Sequence, residues 1–129
     1  VPVVLGPDPV ACADPIRAYS ALYIGGMGAR DKNFYNQLVT RMGYEQAAID
    51  IQEKYLARDY AGAGAAVPFE FIDRTSLLGP RDRVRDRLAA YAESGVTTLT
   101  IAAYSGTIQE RIDTLRVMAE VLEESGLAS

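Results

Sequence analysis

Three glycines within four positions follow an apolar helical run and precede a charged turn, in Leu22-Tyr23-Ile24-Gly25-Gly26-Met27-Gly28-Ala29-Arg30-Asp31-Lys32-Asn33-Phe34-Tyr35-Asn36. No other stretch of the chain restricts its folding as much. Glycine is favoured where φ is positive or where a backbone is closely approached. One glycine after a helix is an ordinary stop, and three exceed what a stop needs. Two readings are open: a tight helix–helix corner, or a loop shaped against a ligand. On the second, Arg30 and Lys32 hold an anionic group and Asn33 orients a polar one. Gly25, Gly26, Met27, Gly28, Arg30, Lys32 and Asn33 are therefore candidates for a substrate pocket.

The rest of the chain alternates strand and helix signals. Val1 to Leu5 is an apolar, β-branched run ending at Gly6-Pro7, which predicts a buried strand paired beyond Pro2. A helix starts at Asp8-Pro9 or Asp14-Pro15, with Asp14 as the better cap, and ends at Gly25. Asp31 is expected to cap a second helix with Phe34 and Leu38 inward. Tyr44, Ala47, Ala48, Ile51 and Tyr55 form the stripe of a third helix. Ala61 to Ala66 reads as a short helix stopped by Val67-Pro68, although each of its glycines costs roughly 1 kcal/mol there. Pro68 opens one more turn.

Ser76 to Gly79 is too short to classify. A helix from Gly79-Pro80 carries Val84, Leu88, Tyr91 and Ala92 on one side, with arginines and aspartates laced over the other. Val96 to Ala103 predicts a second strand, apolar or small on both faces and so covered on both. Ser105-Gly106-Thr107 then leads into a last helix, with Thr107 and Glu110 as a capping box. Its expected inner stripe is Ile108, Ile112, Leu115, Ala119 and Leu122. Two strands joined through helices imply a parallel, right-handed crossover.

The glycine stretch resembles the LYxGGMGxxxxNFYN signature of the luciferase-like monooxygenase superfamily, in its branch dependent on the deazaflavin coenzyme F420. The resemblance continues through Arg41-Met42-Gly43-Tyr44-Glu45, Ile51 to Leu56, Ala65-Ala66-Val67-Pro68, Ser76 to Pro80 and Ala92 to Leu99. It implies one domain over residues 1–129, helix-rich and α/β. That domain would be the C-terminal fragment of a (βα)8 TIM barrel, a fold that typically needs ~250 residues. Val3–Leu5 would be strand seven and Thr97–Ala102 strand eight, with an enlarged helical insertion over about residues 14–94.

The resemblance implies an oxidoreductase that moves a hydride between F420 and an organic substrate, with FMN as the alternative flavin. The fragment alone would be inactive. Ligands of such barrels lie at the carboxyl ends of the strands, often with phosphate held after strands seven and eight. Ser105, Gly106 and Thr107 are then cofactor-binding candidates, because free N–H groups at a helix start favour an anion. No catalytic residue is identified. A non-catalytic helical interaction module is the competing class. The expected partners are the remainder of the barrel, a small-molecule substrate and a second copy of the chain; a fragment with open strand edges is expected to dimerise, swap or aggregate.

Composition narrows this further. A net charge of −4 with both signs mixed argues against a general nucleic-acid or membrane surface. Cys12 is the only cysteine, so no intrachain disulfide forms, and a reducing cytoplasm is the expected compartment. The chain has no histidine, which removes the commonest general base and metal ligand. No metal site is expected.

Overall fold

The computed structural model describes residues 1–127. The chain divides into two compact units, one of Val1–Pro15 with Thr75–Ser129 and one of Ile16–Arg74.

The first unit is built on a parallel sheet. Strand β1 (Pro2–Leu5) is central, with β2 (Leu77–Gly79) on one side and β3 (Ala102–Ala103) on the other. Val3 pairs with Leu77 in one direction and Ala103 in the other. The two strands expected from the sequence are thus parallel neighbours. The third strand, in Ser76 to Gly79, interrupts the helical excursion expected over residues 14–94. The expectation of two strand–helix units is corrected to three: β1 with α1 (Pro9–Ala21), β2 with α6 (Arg81–Glu93), and β3 with α7 (Ile108–Glu124). Leu77 and Leu78 are fully buried, which is why three residues suffice for a strand.

β3 is shorter and wetter than predicted. Of Val96 to Ala103 only Ala102 and Ala103 pair, and much of the run is exposed. The reason is its place at the sheet edge, where only β1 supplies partners: Ala102 N donates to Val1 O at 2.9 Å and Tyr104 N to Val3 O at 3.0 Å. The core of this unit gathers Val3, Leu77, Val84, Leu88, Met118 and Val121, so the stripe predicted for α6 does face inward.

Helix α7 is rotated from expectation. Thr114, Met118 and Val121 are buried, whereas Ile108, Ile112, Leu115 and Leu122 are 77%, 44%, 47% and 40% exposed. A helix with two apolar faces turns only one toward the sheet, and the face holding Met118 and Val121 wins. Arg81 clips α6 to α7 through Glu120 at 2.8 Å and Glu124 at 2.6 Å.

Helix α1 begins at Asp8-Pro9, not at Asp14. The Asp8 carboxylate accepts from Val10 N at 3.0 Å, and Pro9 stands at the first helical position. Pro15 lies inside the helix, where it removes one amide donor.

The second unit is helical. α1 passes into a π-helical turn over Leu22–Gly26. Then come α2 (Phe34–Arg41), α3 (Glu45–Leu56), α4 (Tyr60–Ala65) and α5 (Phe69–Arg74). Ala48 and Ile51 are fully buried, as the α3 stripe requires. The alanine–glycine run is helical, capped by Asp59, whose carboxylate accepts from Gly62 N at 2.9 Å. α2 differs from expectation: Asn33, not Asp31, is its cap, and Phe34 is 59% exposed. The inward face is Asn33, Asn36 and Val39, because both asparagines have backbone partners waiting inside the corner.

Candidate functional site

Two groups of candidate residues lie in different units, and the geometry of each is separate. In the first unit, parallel β1 and β3 end side by side, and the chain leaves β3 through Tyr104 and Ser105 into α7. A cavity of about 290 Å³ opens at these carboxyl ends, lined by Val4, Leu5, Tyr104, Ser105, Glu110, Asp113, Thr114 and Val117. Successive crossovers take the chain from β1 to β2 and then back past β1 to β3, so the cavity lies beside a reversal of strand order. That is where open α/β sheets bind ligands.

The start of α7 already holds an anion, and it is the chain's own. Thr107 N donates to the Glu110 carboxylate at 2.7 Å, the Thr107 hydroxyl contacts the same oxygen at 2.9 Å, and Glu110 N donates back to Thr107 Oγ1 at 3.2 Å. These bonds, the backbone one first, hold Glu110 below the usual carboxylate range. A Cβ on Gly106 would lie 3.3 Å from the same carboxylate oxygen. Of the three predicted cofactor-binding residues, Thr107 is the cap, Gly106 borders the cap, and Ser105 lines the cavity. The Ser105 hydroxyl is buried without a hydrogen-bond partner, while its carbonyl accepts from Arg111 Nε at 3.0 Å. Glu110 is the residue here that sequence reasoning saw only as a cap; its spacing from Thr107 was the signal.

In the second unit the glycine stretch is closely packed. A Cβ on Gly25 would lie 2.5 Å from Tyr55 Cβ, and one on Gly26 would lie 2.4 Å from Tyr55 Cε1. Gly28 has φ 137°, with Lys32 O 2.9 Å from where its Cβ would be. Only glycine fits these three places without displacement. Met27 is 45% exposed, and Arg30 and Lys32 are also exposed.

Asn33 points the other way. It is 1% exposed, and its amide nitrogen donates to Tyr23 O at 3.1 Å and Ile24 O at 3.0 Å. Its oxygen accepts from Asn36 N at 3.0 Å. Tyr23 and Ile24 are near the end of the π-helical turn, where carbonyls lack a helical partner. Asn36 adds bonds to Ile24 O at 3.1 Å and Ala48 O at 2.8 Å, and Gln52 Nε2 donates to Arg30 O at 3.1 Å. Sequence reasoning did not single out Asn36 or Gln52. Gln52 follows Ile51 at the margin of the buried stripe, and a polar residue there signals an inward partner.

Cys12 is buried; burial pushes its thiol up, opposed by a bond from the Gly79 backbone, so it is a poor nucleophile. Among the described residues no group of three acidic, cysteine or histidine side chains could hold a metal ion, and no helix is long and apolar enough to cross a membrane.

Parallel strands followed by helices define an α/β protein. The chain belongs to the luciferase-like monooxygenase family, whose sequence model matches residues 1–98. A protein of Mycobacterium tuberculosis, provisionally named a coenzyme F420-dependent oxidoreductase, is 33% identical over 103 residues. That match covers 80% of this chain and 30% of the relative. The chain thus spans under a third of the length of the relative it matches. No solved structure matches it significantly. The family is one of oxidoreductases and monooxygenases, as the glycine signature implied.

Proposed function

We propose that this chain is the C-terminal part of a coenzyme F420-dependent oxidoreductase, which moves a hydride between the deazaflavin and an organic substrate. The observation that carries the reading is the similarity to the mycobacterial oxidoreductase over 80% of the chain. On this reading Ser105, Gly106 and Thr107 lie on the cofactor side. Met27, Arg30 and Lys32 are the exposed members of a substrate wall, with Gly25, Gly26, Gly28 and Asn33 shaping the backbone behind them. The coenzyme supplies the hydride chemistry when bound; these residues bind, orient and exclude water.

The remainder of the domain is the first expected partner. The outward stripe of α7, with Leu99, Ile101 and Leu115 around a shallow apolar groove, is a surface that water does not favour. In a closed (βα)8 barrel, strands adjacent in sequence are neighbours. In that setting β2 would lie between β1 and β3, so closing the barrel would require β3, with α7, to move from beside β1 to the free edge of β2. A homo-oligomer in the cytoplasm completes the proposal.

The test is a titration of the polypeptide that carries residues 1–129 in its natural reading frame, with F420 and with FMN in parallel. Saturable F420 binding, followed by substrate-dependent change in the deazaflavin absorbance, is expected. Binding of FMN alone would move the assignment to the flavin-dependent branch, and binding of neither would overturn it.

A further inference from the structure

We propose that Asn33, Asn36 and Gln52 are positioning residues that hold the Met27–Lys32 segment as a preformed wall. The inference rests on the substrate-pocket reading above for what the wall faces, and on the hydrogen bonds for the fact that it is held. Three side-chain amides from two helices and a cap converge on the backbone at both ends of one segment. At the entry, Asn33 and Asn36 satisfy the Tyr23 and Ile24 carbonyls. At the far side, Gln52 fixes the Arg30 carbonyl. Asn36 also reaches Ala48 O at 2.8 Å, which ties the entry to α3, the helix that carries Gln52.

An amide suits this task. It carries two donors on one nitrogen and no charge, so one Asn33 side chain serves two carbonyls without burying an ion. Asn33 and Gln52 are 1% and 6% exposed, so competition from water is small. Beneath the segment, Gly25 and Gly26 lie against Tyr55, which leaves no room for the backbone to sink. Met27, Arg30 and Lys32 therefore project from a backbone fixed before any ligand arrives. Preformed walls lower the ordering cost of binding.

Backbone amide hydrogen exchange, read residue by residue on the 129-residue chain, tests the proposal. In Gln52→Ala we expect at least tenfold faster exchange at the Lys32 amide, which donates to Ala29 O, with the slowest amides of α3 unchanged. Asn36→Ala is expected to speed exchange at Gly25 and Gly26, the end of the π-helical turn, by a similar factor. Equal acceleration at Lys32 and in the α3 core would show a purely structural role and overturn the proposal. Unchanged exchange at Lys32 in Gln52→Ala would overturn it too. Gln52→Glu keeps the shape and removes the donor, so it must behave like Gln52→Ala if the bond to Arg30 acts. In the intact polypeptide, Gln52→Ala is expected to raise KM for the organic substrate severalfold with F420 affinity preserved. Lost F420 affinity in the unsubstituted protein would count against the functional reading and leave the exchange result standing; an unchanged KM in an active variant would count against the wall.

Discussion

At the corner between Gly25 and Asn36, the side chains that leave water find partners: Asn33 and Gln52 bond to backbone, and Ile51 of α3 is fully buried. Along α7, the polar residues are satisfied too, by the Thr107–Glu110 box and the Arg81 clip, but four large apolar side chains face outward. The first region is complete within its own unit. The second has an inner face that packs and an outer face with nothing over it among the described residues. The difference shows that apolar spacing alone predicts a helix and not which of its sides turns inward.

The comparison predicts a steep gradient of mutational cost. Ile51→Ala empties a fully buried site and should destabilise the chain by about 3 kcal/mol, read from the urea midpoint. Gly25→Ala comes next. Its new methyl meets Tyr55 Cβ and the Ile51 carbonyl, and overpacking of this kind costs about 1–3 kcal/mol. If Gly25→Ala is neutral, the corner is looser than its contacts indicate.

Acid should separate the two regions next. Glu110, bonded to Thr107, and Glu124, bonded to Arg81, both titrate below the usual carboxylate range in the folded chain. Such groups stabilise the fold above the ordinary glutamate pKa, and the contribution is lost as pH falls through their lowered values. Amide signals of α7 should therefore weaken before those of α3 as a sample is acidified, and Glu110→Gln should flatten the pH dependence. Simultaneous loss of both helices would erase the distinction. The smallest effect belongs to Leu115→Ala, expected within about 0.5 kcal/mol of the parent because the side chain is already half in water. A cost like that of Ile51→Ala would mean that something covers the stripe in solution.

The legibility of the fold follows the same division. Strand β1, the α3 and α6 stripes and the Thr107 box were readable because periodicity and capping act over a few residues. Strand β2 was not, since Leu77-Leu78-Gly79 has no period to detect and owes its conformation to β1 beside it. The start of α1 was misplaced because two Asp-Pro pairs compete, and only the fold chooses between them. At the candidate sites the glycines announced a tight place, yet their neighbour Tyr55 lies 29 and 30 positions along the chain from Gly26 and Gly25. Asn33 was legible as special and illegible in direction: the same residue suits a ligand or a buried carbonyl.

The backbone just ahead of β1 has a practical bearing on which substitutions the sheet tolerates. Val1 N donates to the Thr100 carbonyl, and the Val1 carbonyl accepts from Ala102 N. Both contacts use backbone atoms, so replacing the Thr100 side chain leaves them intact. Ala102→Pro would instead remove the donor that Val1 meets and loosen the sheet's edge.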